Sequence, residues 1–550
     1  MIVTGRPHSI SFLVLFLFLL KTTSVFSQNT IYDNNGRNNS LRGSLNKYRT
    51  CFDVTYYDLS VKVDLHSHSI SGSNDIQMDA VKDFEKIQLD LFANLMIDSV
   101  VYNGNSLSIE RVGDAFFIQF PEIIKEEDHI SVSVYYHGIP VVAKYPPWDG
   151  GFVWTRDSLN RDWVGVSCQG IGASLWWPNK DHLSDRPDSM RIALEVPNHL
   201  MGISNGKLGG KIELDSENTK WIWEVSYPIN NYNVTINIGH FAHIHDQYIG
   251  MGGGLDLDYY VLDYNLDIAR QQFKQVQPLL KCYEHYFGPY PFYDDGYKLV
   301  ETPYYGMEHQ SCIAYGNDFQ NNEFDFDYII IHESGHEYWG NCISIRDLGE
   351  LWVHEGFTTY MESLFMEYFH GKESALEYLE QQKSSIENRN PMLGPLNVNY
   401  DNWMDTDIYY KGSWMLHSLR NTVNDDTLWF DLLKAAFQHF KYKTVTSEEV
   451  INYMDSETDH NLKPIFNNYL KNPDPPELLI KIKEKKENVY LKYSWRKVRN
   501  DFDMPVDMLY GNEVIRIYPT VKNQKLVVPV VEGEEIRFDR CLSYFMISRK

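Results

Sequence analysis

Positive charge is scarce in this 550-residue sequence: 50 Lys and Arg stand against 75 Asp and Glu, for a formal net charge of −25. That balance argues against a nucleic-acid partner, which would call for a basic patch, and suits a soluble chain that repels its own kind; at most it hints at cationic substrates. Long apolar runs are missing as well. The run from Ile10 to Leu20 is too short to span a bilayer comfortably, and no later stretch approaches that length, so no stable transmembrane anchor is expected in the mature chain. Cysteine is sparse, with Cys51, Cys168, Cys282, Cys312, Cys342 and Cys541 and no CxxC pair. Buried thiols and disulfides both remain open, because six cysteines can pair in about fifteen ways. Neither an internal repeat nor a long low-complexity tract is present, which excludes a repeat architecture.

What the chain does have is material for a core. It is 43% hydrophobic and 14% aromatic, enough for roughly two to four domains. Arg6 and His8 precede the first apolar run, and Val25 and Ser27 fit a cleavage site before Gln28, so residues 1–27 read as a signal peptide and the mature protein as secreted or periplasmic. Residues 28–47 are Asn-, Gly- and Ser-rich and read as a flexible mature N-terminus. From 48 to 245, alternating segments such as Asp53 to Leu65 and Ile130 to Tyr136 are separated by turn signals including Asn103-Gly104, the pattern of an antiparallel β domain. From 246 to 472 the period changes to helical, with amphipathic stretches near 267–286, 324–340, 355–370, 374–388, 411–423 and 427–440. After Asn472-Pro473-Asp474-Pro475-Pro476, strand-like alternation returns and defines a small β domain over 473–550. The fold class is multidomain α+β.

His332-Glu333-Ser334-Gly335-His336 is an HExxH sequence in the apolar-aromatic segment Phe324 to Trp339. On a helix, the i, i+4 spacing places both imidazoles on one face, where neutral ring nitrogens can bind a single zinc. Glu333 is turned about 100° from His332, beside the ion rather than at it, where a base for an attacking water belongs. Glu355 lies nineteen positions after His336, at the start of the next helix, and can complete a His2Glu set that leaves the fourth position to water. A metzincin would need glycine and histidine where Trp339 and Cys342 stand, so that class is excluded. Glu362, seven residues beyond Glu355 on the same helical face, can orient a ligand imidazole.

The segment HESGHEYWGN…LWVHEGFTTYME resembles the signature of the M1 gluzincin aminopeptidases, HExxH followed after eighteen residues by Glu. Further motifs extend the resemblance. Gly306-Met307-Glu308-His309-Gln310 is similar to the family's GxMEN exopeptidase motif, with His309 departing from the usual Asn. The resemblance implies that Glu308 holds the substrate's free α-amine. That role is physically apt, since an enzyme that cuts only at a chain end needs a fixed negative charge beside the metal. Tyr409-Tyr410-Lys411-Gly412 resembles Y-x-K-G, which implies that Tyr409 stabilises the tetrahedral intermediate, with Tyr410 the competing register. Gln169, in a stretch similar to Q-x-(Q/E)…A…(F/W)-x-P, is implied as a second contact to the amine.

The resemblance spans roughly residues 50–470 and implies an N-terminal antiparallel β saddle, a thermolysin-like α/β catalytic domain and one zinc per chain. The large C-terminal helical domain of longer members is not expected here, since residues 473–550 read as strands. The implied activity is a zinc-dependent aminopeptidase acting on peptides with a free N-terminus. A zinc endopeptidase and a catalytically inactive peptide-binding homologue are the alternatives.

Overall fold

A computed structural model of the chain describes residues 41–400 and 405–550. The expected signal peptide, 1–27, and residues 28–40 of the stretch expected to be flexible lie outside the described residues. Residues 41–47 differ from expectation, because they are packed. Arg42 is buried against Asp181 and donates to the Ile171 carbonyl, while Arg49 pairs with the buried Asp90. A charge taken out of water needs such partners, and these tie the segment to the β domain.

The N-terminal part is built on an eight-stranded sheet in the order 207–213, 218–225, 189–197, 52–64, 69–80, 129–138, 95–102 and 105–106. In the strand Phe52–Asp64, buried Leu59, Val61 and Val63 alternate with more open Ser60, Lys62 and Asp64, the period of a sheet with one face on a core. The pairing is not wholly antiparallel. Phe52–Asp64 runs parallel to Ser189–Pro197, and alternation along one strand does not encode its partner's direction.

The expected boundary at 245 falls inside a strand. Phe241–Gly250 forms a hairpin with Gly253–Leu262 and is one edge of a five-stranded mixed sheet, ordered 241–250, 253–262, 297–301, 313–315 and 306–307. Gly306–Met307 is the opposite edge. Helices Leu266–Gln272, Val276–Phe287, Tyr328–Gly335, Trp352–His370, Lys372–Gln382, Asp407–Val423 and Asp426–Phe440 pack around this sheet. Two more, Ser447–Ser456 and Lys463–Lys471, were not anticipated, although Thr446 and Glu449 form a capping box before the first. The C-terminal part is all strand, with sheets of four and three, and shares one continuous core with the helical domain.

The helix carrying the HExxH residues is shorter than its pattern. Asp327 caps it by accepting from the Ile329 amide at 3.2 Å, and His336 closes it. Beyond it, the Asn341, Cys342 and Ile343 amides donate to carbonyls five residues back, a widened turn that ends the helix. Ile329 through Gly335 are all buried, so the helix is enclosed on every side, and its polar groups depend on partners supplied by neighbours.

The helices Trp352–His370 and Asp407–Val423 cross where Gly356 meets Gly412. A methyl group on Gly412 would stand 2.8 Å from the Gly356 Cα. The two glycines therefore let the backbones touch and bring Glu355 and Tyr409, one and three residues away, to the same place; overpacking there would cost about 1–3 kcal/mol. None of the six cysteines is paired, and all but Cys541 are buried. Among the described residues, no helix is long and apolar enough to cross a membrane.

Candidate metal centre

The site lies in the seam between the N-terminal β domain and the helical domain. Arg186, held within the β domain by the Pro228 carbonyl at 2.7 Å, crosses the seam to donate to the Asn341 carbonyl at 2.6 Å. Asn205 donates to the Gln310 carbonyl at 2.7 Å, and the Gly206 amide to the Ser311 hydroxyl at 2.9 Å. The loop after Gly306–Met307 is thus pinned to the β domain.

His332, His336 and Glu355 are brought together and buried. Their inward atoms form a nearly equilateral triangle: the two Nε2 atoms are 3.2 Å apart, and Glu355 Oε2 is 3.3 Å from His336 Nε2 and 3.6 Å from His332 Nε2. A tetrahedral ion about 2.0–2.1 Å from each ligand spaces them about 3.3–3.4 Å apart, so the triangle fits zinc.

The outer ring nitrogens strengthen the assignment. His332 Nδ1 is 2.7 Å from Glu362 Oε1, and His336 Nδ1 is 3.0 Å from the Trp339 carbonyl oxygen. Both partners only accept, so each neutral ring carries its proton on Nδ1 and turns the Nε2 lone pair inward. Two lone pairs and Glu355 Oε2, which has no hydrogen-bond donor, then face one another, and a cation satisfies all three. Burial lowers both imidazole pKa values, but Glu355 and Glu362 around His332, and Glu355 and Glu308 around His336, reverse the shift upward. Burial also raises the Glu355 carboxyl, yet the two rings outweigh it and hold it below the usual range. Protons and a cation compete for the same atoms.

Glu362 lies where the helical face predicted. It is buried, and its second oxygen accepts from the Tyr378 hydroxyl at 2.5 Å, which fixes the carboxylate against His332. Glu362→Gln should lower zinc affinity about 10- to 100-fold, measured by competition with a chelator; unchanged affinity would contradict the orienting role.

Glu333 is buried beside the triangle, and burial, with Glu308 and Glu355 nearby, pushes its carboxyl up against the pull of His332 and His336. Gly306 makes room for it, since a Cβ there would stand 2.7 Å from Glu333 Oε1. Glu308, Glu333 and His336 offer ligand-type atoms within 4.8 Å of one another. Gln169 donates to Glu308 Oε1, and Tyr232 donates to the same oxygen at 3.1 Å. The Glu308 carbonyl accepts from Asn233 at 2.9 Å and from Asn341 at 2.8 Å. Burial raises the Glu308 carboxyl. Met307 packs with Tyr304 and Ala314 behind the strand, and His309 is buried and neutral, its pKa lowered by burial to about 3.

The helix starting at Asp407 separates the two tyrosines. The Tyr409 hydroxyl is kept protonated by burial and by Glu355, Glu308 and Glu333, and its ring lies 6.2 Å from that of His332. Tyr410 instead feels burial, Glu362 and Tyr305. Sequence reasoning missed Tyr232, which belongs to no motif; its only signal is the polar run Asn230-Asn231-Tyr232-Asn233 set between apolar Ile229 and Val234. It also missed Glu337, which accepts from the Tyr290 hydroxyl at 2.8 Å and the Ser311 amide at 2.9 Å and so ties the helix end to the Glu308 loop.

Residues 271–469, which contain this centre, match the model described as "Peptidase family M1 domain". The chain carries a peptidase family M1 domain. Among similar proteins, aminopeptidase B of Mus musculus is 24% identical over 249 residues, covering 42% of this chain and 37% of that one. Leukotriene A-4 hydrolase of Xenopus laevis is 22% identical over 425 residues, covering 72% of this chain and 67% of that one. The chain thus spans well under half the length of the aminopeptidase B relative. The crystal structure of an M1 zinc metallopeptidase from Deinococcus radiodurans superposes with a TM-score of 0.64 at 17% identity, covering 77% of this chain and 94% of that one. A two-domain M1 zinc metallopeptidase bound to L-tryptophan gives a TM-score of 0.65 at 17% identity, covering 77% of this chain and 95% of that one, so the M1 fold extends well beyond the matched segment.

Proposed function

We propose that this protein is a zinc aminopeptidase that removes residues one at a time from peptides with a free N-terminus, with one zinc per chain held by His332, His336 and Glu355. The observation that carries the reading is the buried Glu308 carboxylate, which shares a cluster with Glu333 and His336. An endopeptidase has no use for a fixed anion there. A binding-only homologue is disfavoured because Glu333, Tyr409 and all three ligands are in place. The similarity to aminopeptidase B supports the same choice.

Zinc in this triangle supplies Lewis acidity toward the scissile carbonyl and makes water easier to ionise. Glu308, held by Gln169 and Tyr232, receives the protonated α-amine and sets the first peptide bond beside Glu333. The Glu333 carboxylate takes the proton of the attacking water and passes it to the departing amine nitrogen. The Tyr409 hydroxyl donates to the oxyanion as the carbonyl carbon becomes tetrahedral. Glu362 keeps the His332 proton on Nδ1.

Metal analysis combined with a panel of aminoacyl chromogenic substrates tests the proposal. One zinc per chain and turnover of free-amine substrates are expected in the wild type, with both lost in His336→Ala. Unaltered zinc content in His336→Ala would contradict the ligand set. We also propose secretion or periplasmic export through residues 1–27; mass spectrometry of the exported protein should find Gln28 at its N-terminus, and retention of Met1 would contradict it.

A further inference from the structure

The edge strand Gly306–Met307 gives the site a direction. Glu308 follows it and Tyr305 precedes it, and a Cβ on Gly306 would meet Glu333. A peptide with its amine at Glu308 that runs antiparallel along this edge presents its first bond near Gly306 and Glu333. At about 3.4 Å per residue, its second residue then reaches Tyr305.

Tyrosines surround that position. Tyr305 is 38% exposed, while Tyr328 and Tyr410 are half-buried. The Tyr328 ring stacks on His332 with centroids 5.2 Å apart, on the ligand that Glu308 does not approach in the shared cluster. Tyr305 adjoins Gly306, whose added Cβ would meet Glu333 and Ile329, the neighbour of Tyr328, and Tyr410 adjoins Tyr409, whose ring lies 6.2 Å from that of His332, so the three tyrosines border one site together with the carboxylates of Asp327, Glu333 and Glu362. Two of those carboxylates are already partnered: Glu362 by His332 and Tyr378, and Asp327 by Tyr315 at 2.6 Å and Gln272 at 2.7 Å. The third, Glu333, is the base at the scissile bond, so what the wall offers the side chain beyond that bond is ring surface, and partly open rings pair best with another flat ring.

We propose that Tyr305, with Tyr328 and Tyr410, receives the side chain that follows the scissile bond and makes the protein prefer an aromatic residue at the second position of its substrates. The assignment rests on the aminopeptidase reading and adds a substrate class to it. Three free-amine tripeptides that share the best first residue and end in Ala, with Phe, Gly or Lys in the middle, test it. In the wild type, kcat/KM for the Phe peptide should exceed that for the Gly peptide about 10-fold, chiefly through KM, with Lys closer to Gly. Tyr305→Ala should reduce the Phe-to-Gly ratio to about 2 or less, whereas Tyr305→Phe, which keeps the ring, should retain most of it. A wild-type ratio near 1, a preference for Lys, or an unchanged ratio in Tyr305→Ala would overturn the proposal. Failure to cut any of the three, or cuts elsewhere than after the first residue, would instead overturn the aminopeptidase reading and this inference with it.

Discussion

Glu333→Gln is expected to bind zinc as the wild type does and to lose about 10³-fold in kcat. The amide keeps the volume that Gly306 leaves open and the position beside His332 and His336, but it cannot accept the proton of the attacking water. General-base catalysis contributes about 10²- to 10⁴-fold, and nothing else in the site offers an equivalent base. Glu355 and Glu362 are engaged with the two histidines, and Glu308 is held by Gln169 and Tyr232. Stopped-time assays at saturating substrate, with zinc quantified on the same sample, separate the outcomes. Near-normal kcat would remove Glu333 from the base role, and loss of zinc would place it in the ligand set.

Removal of the Glu308 carboxylate should have the second-largest effect. In Glu308→Ala the substrate's ammonium enters the seam without its anion, and Gln169 and Tyr232 lose their common acceptor. Truncating one partner of a buried, hydrogen-bonded charge pair costs about 2–5 kcal/mol, or roughly 30- to several-thousand-fold in kcat/KM. Zinc content should survive, because the three ligands are held by Glu362, Trp339 and the Gly356–Gly412 crossing rather than by Glu308. A drop of less than threefold would contradict its role as the amine anchor.

The sequence made the metal set legible because the ligand spacing is local. An i, i+4 pair of histidines faces one way on any helix, and Glu355 needed only a second helix nearby. Glu362 followed from the same periodicity. Tyr409 and Tyr410 remained open from the sequence because neighbours on a helix diverge by about 100°, and only the helix's phase against the Glu355 helix decides which one turns inward. Lys411 in the same motif serves packing: it is buried and donates to the Pro473 carbonyl at 2.7 Å, joining the helical domain to the C-terminal strands.

Long-range pairing was harder to read. Strand 241–250 follows strand 237–239 after a single residue, so the change of sheet at its start carries no local signal. The packed segment 41–47 has few apolar residues and is held instead by Arg42 and its partner Asp181, 139 positions away in the chain. The seam contacts of Arg186, Asn205 and Tyr232 join residues more than 70 positions apart and leave no periodicity to detect.

The most direct test of the central claim is the relative cleavage of one peptide with a free N-terminus and the same peptide N-acetylated, with products sequenced by mass spectrometry. Acetylation removes the ammonium and leaves the buried Glu308 carboxylate unpaired, so the account predicts removal of the first residue from the free peptide and cleavage of the blocked one slower by at least about 30-fold. Comparable rates on the two peptides, or internal cuts in the blocked one, would contradict it.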